Sequence, residues 1–214
     1  MNRAGSRAGR AARHAMAMLV AGLVAGFMVA SQPASAQMSA GYKFLEAVKK
    51  KDGAAVEEAL SEPGTTLINT RDVTTGRTAL HIVTERRDIT WLRFIIAKGG
   101  NVNVRDVRGI TPLQIAAGMG WTEGVSELVA NRARIDDPSS TGETPLIAAV
   151  HQRDIQMMRL LLKAGADPDR KDNSGRSARD YAGLDGASSP LLAEIRASAK
   201  AKSGQGGAVY GPTF

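Results

Sequence analysis

The sequence predicts an all-α fold, an α-solenoid of about five helix–turn–helix units with projecting β-hairpin fingers. A short motif with a hydroxyl residue recurs four times, and its residues Thr78, Thr111, Thr144 and Ser177 stand 33 residues apart. Each interval holds two apolar segments with helical spacing, followed by a polar stretch that contains glycine. Consecutive intervals of equal length are typical of stacked repeats that bury their apolar faces against each other.

The first 36 residues have the features of a cleavable export signal. They carry four arginines and no acidic residue, an apolar run from Ala15 to Ala30, and the small-x-small pattern Ala34-Ser35-Ala36. The run is shorter than the roughly 20 residues that span a bilayer. We therefore expect export by the general secretory route, cleavage after Ala36 and a periplasmic mature protein. The alternative is an uncleaved anchor, which would make the protein a membrane-tethered scaffold.

The mature chain divides into a predicted solenoid over 37–200 and a disordered tail over 201–214. The first unit, 42–68, is a helix pair without the hydroxyl motif, and its charged outer side suits an N-terminal cap that faces water. The last unit, 170–200, is the C-terminal cap, and its final helix is predicted to start at Ser189-Pro190. The tail is rich in glycine and shows no apolar periodicity.

Three full repeats lie between the caps, at 69–103, 104–136 and 137–169. In each repeat the threonine of the motif can cap the first helix, and Pro112 and Pro145 occupy the first helical position, where a missing N–H costs nothing. The first helices are lined by small apolar residues, which let neighbouring helices approach closely. The second helices present larger apolar residues at i, i+1, i+4 and i+5, which defines one buried face.

Glycine and arginine occupy the predicted turns. Gly99 and Gly165 end two of the second helices in the left-handed conformation. The turn between the two helices of a repeat carries Gly120 in one case but Arg87 and Arg153 in the others. A non-glycine residue held in that conformation costs about 1 kcal/mol, so we expect modest stability.

The repeated motifs resemble the ankyrin repeat over about 69–186. The openings of the units are Gly-Arg-Thr-Ala-Leu-His (76–81), Gly-Ile-Thr-Pro-Leu-Gln (109–114), Gly-Glu-Thr-Pro-Leu-Ile (142–147) and Gly-Arg-Ser-Ala-Arg-Asp (175–180). Gln114 and Ile147 replace the histidine that is usual in the family, and the last unit is eroded. With the export signal, the resemblance implies a secreted bacterial ankyrin-repeat protein that binds another protein through its fingers and inner helices.

Composition excludes several classes of function. The chain has no cysteine, so disulfides, thiolate metal sites and cysteine nucleophiles are excluded. The formal charge of +7 falls to +3 once the four arginines of residues 1–36 are removed, which leaves no support for nucleic-acid binding. We predict no cofactor, no nucleic-acid partner, no membrane insertion after signal cleavage and a monomer.

Three constellations could suggest chemistry, and none is complete. His81 and Glu85 are spaced as two metal ligands on a helix but lack a third. His151 and Asp154 invite an acid–base interpretation without a nearby nucleophile. The acidic run Asp167, Asp169 and Asp172 has Lys171 where a calcium loop needs an acid, and its closing glutamate is missing. We therefore predict no enzymatic activity and no metal site.

The resemblance places the binding surface on the finger tips and on the inner helices. The finger positions are Thr74, Thr75, Arg77, Arg105, Val107, Arg108, Ile110, Ser140, Thr141, Glu143, Lys171, Asn173, Ser174 and Arg176. The inner-helix positions are Glu85, Arg86, Gly118, Met119, His151 and Gln152.

The second full repeat carries an unusual apolar group among these positions. Val107, Ile110 and Met119 are predicted to face solvent, and Trp121 either joins them or packs against the next repeat. Four arginines surround this group in the predicted arrangement, namely Arg77, Arg86, Arg105 and Arg108. A partner with an apolar plug and an acidic rim would fit such a surface.

The export signal gives a direct test. Protein isolated from the periplasm by osmotic shock should begin at Gln37, because Ala34-Ser35-Ala36 directs cleavage after residue 36. Intact-mass measurement checks this expectation. Retention of residues 1–36 in a membrane fraction would contradict it.

Overall fold

The computed structural model describes residues 39–205, with side chains described through residue 199, and this part of the chain holds ten α-helices. Residues 1–38, and with them the predicted export signal, lie outside the described residues. The helices are α1 (Ala40–Lys50), α2 (Gly53–Ala59), α3 (Ala79–Glu85), α4 (Ile89–Ala97), α5 (Pro112–Gly118), α6 (Thr122–Ala130), α7 (Pro145–His151), α8 (Ile155–Lys163), α9 (Ala178–Gly183) and α10 (Pro190–Gln205). A short 3₁₀ helix at Leu67–Asn69 lies between α2 and α3.

The helices pack as two stacked layers. The odd-numbered helices form an inner layer in which each helix contacts the next odd-numbered helix. In the outer layer α4 contacts α6, α6 contacts α8, and α8 contacts α10. The largest fully buried side chains come from both layers and fill the space between them: Phe44, Leu80, Leu92, Ile95, Leu113, Leu128, Leu146, Ile147, Met157, Met158, Leu161 and Leu162. This arrangement confirms the predicted all-α solenoid, in which each repeat buries its apolar face against its neighbours.

Side-chain caps start the helices of both layers. The hydroxyl of Thr111 accepts the backbone N–H of Gln114 at 3.3 Å, and Thr144 and Ser177 make the same bond to the third residue of their helices. Two of the outer helices, α4 and α8, are capped by carboxylates instead, as when Asp154 accepts the N–H of Met157 at 2.9 Å. Such caps satisfy backbone donors that have no partner within the helix.

The turns take the predicted left-handed conformation. The φ angles are 53° at Arg87 and 56° at Arg153, against 63° at Gly120. Both arginines also bond to the following unit. Arg87 donates from Nη2 to the carbonyl of Met119, and Arg153 pairs with Asp185 at 2.5 Å. The strained turns therefore also connect neighbouring repeats.

The fingers are turns and contain no paired strands within residues 39–205, where one isolated bridge joins Lys171 and Ser177. In the second repeat Asp106 donates its N–H to the carbonyl of Ile110 at 2.8 Å, and its carboxylate accepts the N–H groups of Arg108 and Ile110. The Asp106 carboxylate thus accepts backbone N–H groups that would otherwise bond to a paired strand. Neighbouring fingers are joined by backbone bonds, including one of 3.0 Å from the N–H of Val107 to the carbonyl of Thr75.

One side chain of the inner helix ties each of the first two full repeats to the next. His81, which is fully buried, accepts the N–H of Thr78 at Nδ1 and donates from Nε2 to the carbonyl of Ile110, 3.0 Å away. Gln114 stands 33 residues later and does the same, because its amide donates to the carbonyl of Glu143 at 3.2 Å. The backbone partners of His81 require a neutral ring with its proton on Nε2.

The C-terminal cap differs from its predicted length. Helix α10 starts at Pro190, as predicted, but continues to Gln205 and so passes the expected domain end at residue 200. Alanine and lysine, which are good helix formers, dominate its last turns. The rest of the predicted tail lies outside the described residues, and the other domain boundaries stay predictions. Between residues 39 and 205, no helix is both long and apolar enough to cross a membrane.

The buried histidine predicts an acid-sensitive fold. Burial lowers the pKa of His81 below its ordinary value of 6.5, so the unfolded chain binds more protons than the folded chain once the pH falls below that value. Its contribution to stability is therefore present near neutral pH and is lost on acidification, by up to about 1.4 kcal/mol per pH unit. Urea unfolding of wild type and His81→Gln at pH 7.5 and pH 5.5 tests this.

The glutamine variant is a matched control because Gln114 already makes both bonds in the next repeat. We expect His81→Gln to lie within about 1 kcal/mol of wild type at pH 7.5 and to lose less stability at pH 5.5. Equal losses in the two proteins would show that His81 is not held neutral.

Candidate protein-binding groove

Two adjoining clefts form a groove between the fingers and the inner helices. The first cleft encloses about 330 Å³ and lies between the second and third full repeats. Its lining residues are Arg108, Ile110, Gln114, Gly118, Ser139, Ser140, Thr141, Glu143, Thr144, Pro145 and Ala148. The second cleft encloses about 480 Å³ and is lined by Ser140, Thr141, Glu143, His151, Asp172, Asn173, Ser174 and Tyr181. Three residues of the third finger are common to both clefts, which makes the groove continuous.

The pairing between the finger side and the helix side of the groove differs from one repeat to the next. In the first full repeat Arg77, at the finger base, pairs at 2.7 Å with Glu85, which lies eight residues later on the inner helix. In the third repeat Glu143 approaches His151 in the same way, with Oε1 3.3 Å from Nδ1. The corresponding residues of the second repeat, Ile110 and Gly118, cannot pair, and the first cleft opens there.

The second cleft ends on a hydrogen-bonded group around Asp172. The hydroxyls of Ser174 and Tyr181 each donate to the Asp172 carboxylate at 2.7 Å. These bonds hold the pKa of Asp172 well below its ordinary value of 3.8. The ring of Tyr181 meets that of His151 edge to face, with centroids 4.5 Å apart. The cleft therefore presents an aromatic wall beside a fixed negative charge.

Nine of the predicted contact positions line this groove. They are Arg108, Ile110, Gly118, Ser140, Thr141, Glu143, His151, Asn173 and Ser174. The structure adds residues that the prediction missed, chiefly Gln114, Ala148, Asp172 and Tyr181. The 33-residue period could have indicated two of these, because Tyr181 stands one period after Ala148.

Three of the four arginines predicted to ring the apolar group are tied into the fold. Arg77 pairs with Glu85, and Arg86 donates from Nη1 to the carbonyls that end α1, at 2.6 Å from Val48 O. Arg105 donates to the carbonyl of Pro138 at 3.0 Å and pairs with Asp137. Arg77 therefore joins the finger and the inner helix of its own repeat, while Arg86 and Arg105 each join two repeats.

The predicted apolar group also separates in the structure. Val107 stands 67% exposed on its finger, whereas Ile110 faces the first cleft. Met119 is half-buried at the end of α5. Trp121 is buried in the core, where its ring lies against Gly124 of its own repeat, so it does not join the exposed residues.

The remaining predicted contacts lie beside the groove. Gln152 is exposed, and its amide donates to the carbonyl of Ala117 at 3.0 Å and to that of Ala148. Arg176 stacks over the ring of Tyr181, with its guanidinium carbon 5.8 Å from the centroid. Thr74, Thr75 and Lys171 are exposed on the fingers.

The side chains considered for chemistry are occupied by other contacts. Both ring nitrogens of His81 are hydrogen-bonded, and Glu85 pairs with Arg77. Asp154 caps α8, and Asp169 pairs with Arg179 at 2.6 Å, which lowers the pKa of Asp169. Among the described residues, no group of three or more histidine and acidic side chains lies close enough together to hold a metal ion.

Comparison with known proteins points to one family. The family model described as "Ankyrin repeats (3 copies)" matches residues 44–139 and 89–172. The chain is similar to the B-cell lymphoma 3 protein homolog of Mus musculus, with 36% identity over 108 residues, covering 48% of this chain and 24% of the relative. It is also similar to the neurogenic locus notch homolog protein 1 of Danio rerio, with 35% identity over 110 residues, covering 50% of this chain and 4% of the relative. The chain spans less than a quarter of the length of these curated relatives.

Proposed function

The chain belongs to the ankyrin-repeat family, and on that basis we propose that it is a non-enzymatic protein-binding module exported to the bacterial periplasm. Ankyrin repeats generally mediate protein–protein interactions, and they present an extended surface rather than a closed active site. In this proposal one partner protein lies in the groove between the fingers and the inner helices. The free protein is a monomer.

The continuous groove is the observation that carries this proposal. Its floor is apolar where Pro145 and Ala148 lie, and its finger side carries the exposed polar residues Ser140, Thr141 and Asn173. A central apolar strip with a polar rim is the usual composition of a protein interface. An extended segment of a partner can bury apolar side chains on the floor while the rim fixes its position.

The electrostatics of the groove support binding over catalysis. The imidazole of His151 lies against Glu143 and Tyr181, and Asp172 is held as an anion by the hydroxyls around it. A general base needs a free acceptor within hydrogen-bond reach of a substrate proton. Nδ1 of His151 instead faces Glu143, and the Asp172 carboxylate accepts the hydroxyls of Ser174 and Tyr181, which fixes the shape of the groove.

The periplasmic location is supported by the first 36 residues. Their arginines, apolar run and Ala34-Ser35-Ala36 pattern match a secretory signal. The net charge of +3 that remains after cleavage gives no reason to propose a nucleic-acid partner.

Site-specific photo-crosslinking in cells tests the binding surface. A crosslinking amino acid at Ser140, on the third finger, should give an adduct with a discrete partner, because this residue borders both clefts. The matched control is Ser126, which is also exposed but lies on outer helix α6. We expect adducts from position 140 in the periplasmic fraction and few or none from position 126.

Adducts of equal yield from both positions, or from position 126 alone, would contradict binding in the groove. Adducts from position 140 found only in the cytoplasm would leave the binding surface in place and disprove the periplasmic location.

A further inference from the structure

The second repeat lacks the bridge between finger base and inner helix that both of its neighbours make. The finger base and inner helix are bridged by Arg77–Glu85 in the first repeat and by Glu143–His151 in the third. We propose that the opening between them, the cleft over Gly118, is a specificity pocket for one apolar side chain of an extended partner segment, with an acidic residue beside it. This inference rests on the proposed function and names the chemistry of the partner.

Gly118 has no role within the protein that explains it. It lies in the last turn of α5, its φ is not positive, and a Cβ built there would have no neighbour within 4 Å. Gly124 provides the contrast, because the ring of Trp121 occupies the space that a side chain would need. Glycine within a helix is less favourable than alanine, and it is suited to the close approach of another chain.

The size and lining of the cleft fit an apolar side chain. Ile110, Gly118, Pro145 and Ala148 supply apolar surface, while polar groups of the third finger stand at its edge. A volume of about 330 Å³ lies at the lower end of the range for small-molecule pockets, about 300–1,000 Å³. The cleft therefore suits one large side chain, such as leucine or phenylalanine, better than a cofactor.

The charge of Arg108 indicates which residue stands beside that apolar side chain in the partner segment. Arg108 is the one cationic residue among those that line the cleft, and its side chain is 67% exposed. Its nearest carboxylate is that of Asp106, at 3.7 Å, and Asp106 itself is buried. The one acidic residue in the lining, Glu143, lies against His151. A partner segment with Asp or Glu next to its apolar side chain matches Arg108, whereas Lys or Arg there would be repelled.

Selection from a random 12-residue peptide library displayed on phage tests this inference with the mature protein as bait. Enriched peptides should share a Leu- or Phe-type residue within two positions of Asp or Glu. Their affinity should fall at least tenfold for Gly118→Leu, which fills the cleft. The matched control Gly118→Ala adds only a Cβ into open space and should stay within about threefold of wild type, since one methyl group leaves most of the cleft free.

A second variant isolates the charge. Arg108→Glu should shift the selection towards Lys or Arg beside the apolar residue, and it should weaken the wild-type peptides at least tenfold. Arg105 is not a suitable substitute, because its contacts with Pro138 and Asp137 hold two repeats together. Unchanged melting temperatures would show that each variant still folds.

Peptides that bind wild type and Gly118→Leu equally well would overturn the cleft proposal, and so would the absence of any enriched pattern. Neither result decides the proposed function, because crosslinking from Ser140 reports on the whole groove independently. Crosslinks at Ser140 that persist in Gly118→Leu would retain groove binding and reject this pocket.

Discussion

The structure depends on one kind of side-chain bond, which joins each of the first two full repeats to the next. His81 and Gln114, each the third residue of its inner helix, reach the carbonyl at the base of the following finger, at Ile110 and Glu143. The same side chain therefore closes the helix cap with one atom, and with another it makes the bond that joins two repeats and fixes the residue that projects into the groove. A single repeat could not make it, because the acceptor belongs to its neighbour. The groove is thus a product of stacking and not of any one repeat.

Stacking also decides which charged side chains are available to a partner. Each repeat must satisfy the carbonyls that end its inner helix, and arginines from adjacent turns do this for α1 and α5. Arginines used in this way lie near the surface without being free. Arg108 differs because its finger turn is already satisfied by Asp106, which leaves its guanidinium exposed. A partner can therefore pair with Arg108, whose guanidinium is not needed to hold two repeats together.

The sequence was sufficient to predict the fold but only part of the groove. The 33-residue period and the capping residues are local signals, so helix order and the left-handed turns at Arg87 and Arg153 could be predicted. The bond from Arg105 to Pro138 depends on a distance between repeats, which no local pattern contains. The cleft could not be predicted for the same reason, since its lining comes from two adjacent repeats.

The central claim is that a partner occupies the groove at the second and third repeats. Amide hydrogen exchange tests this most directly. It is measured on the mature protein alone and in complex with the purified partner that crosslinking identifies. The account predicts slower exchange in residues 108–118 and 139–143 of the complex, with α6 and α8 on the outer layer unchanged. Protection confined to α6 and α8, with unchanged exchange at the second and third fingers, would contradict it.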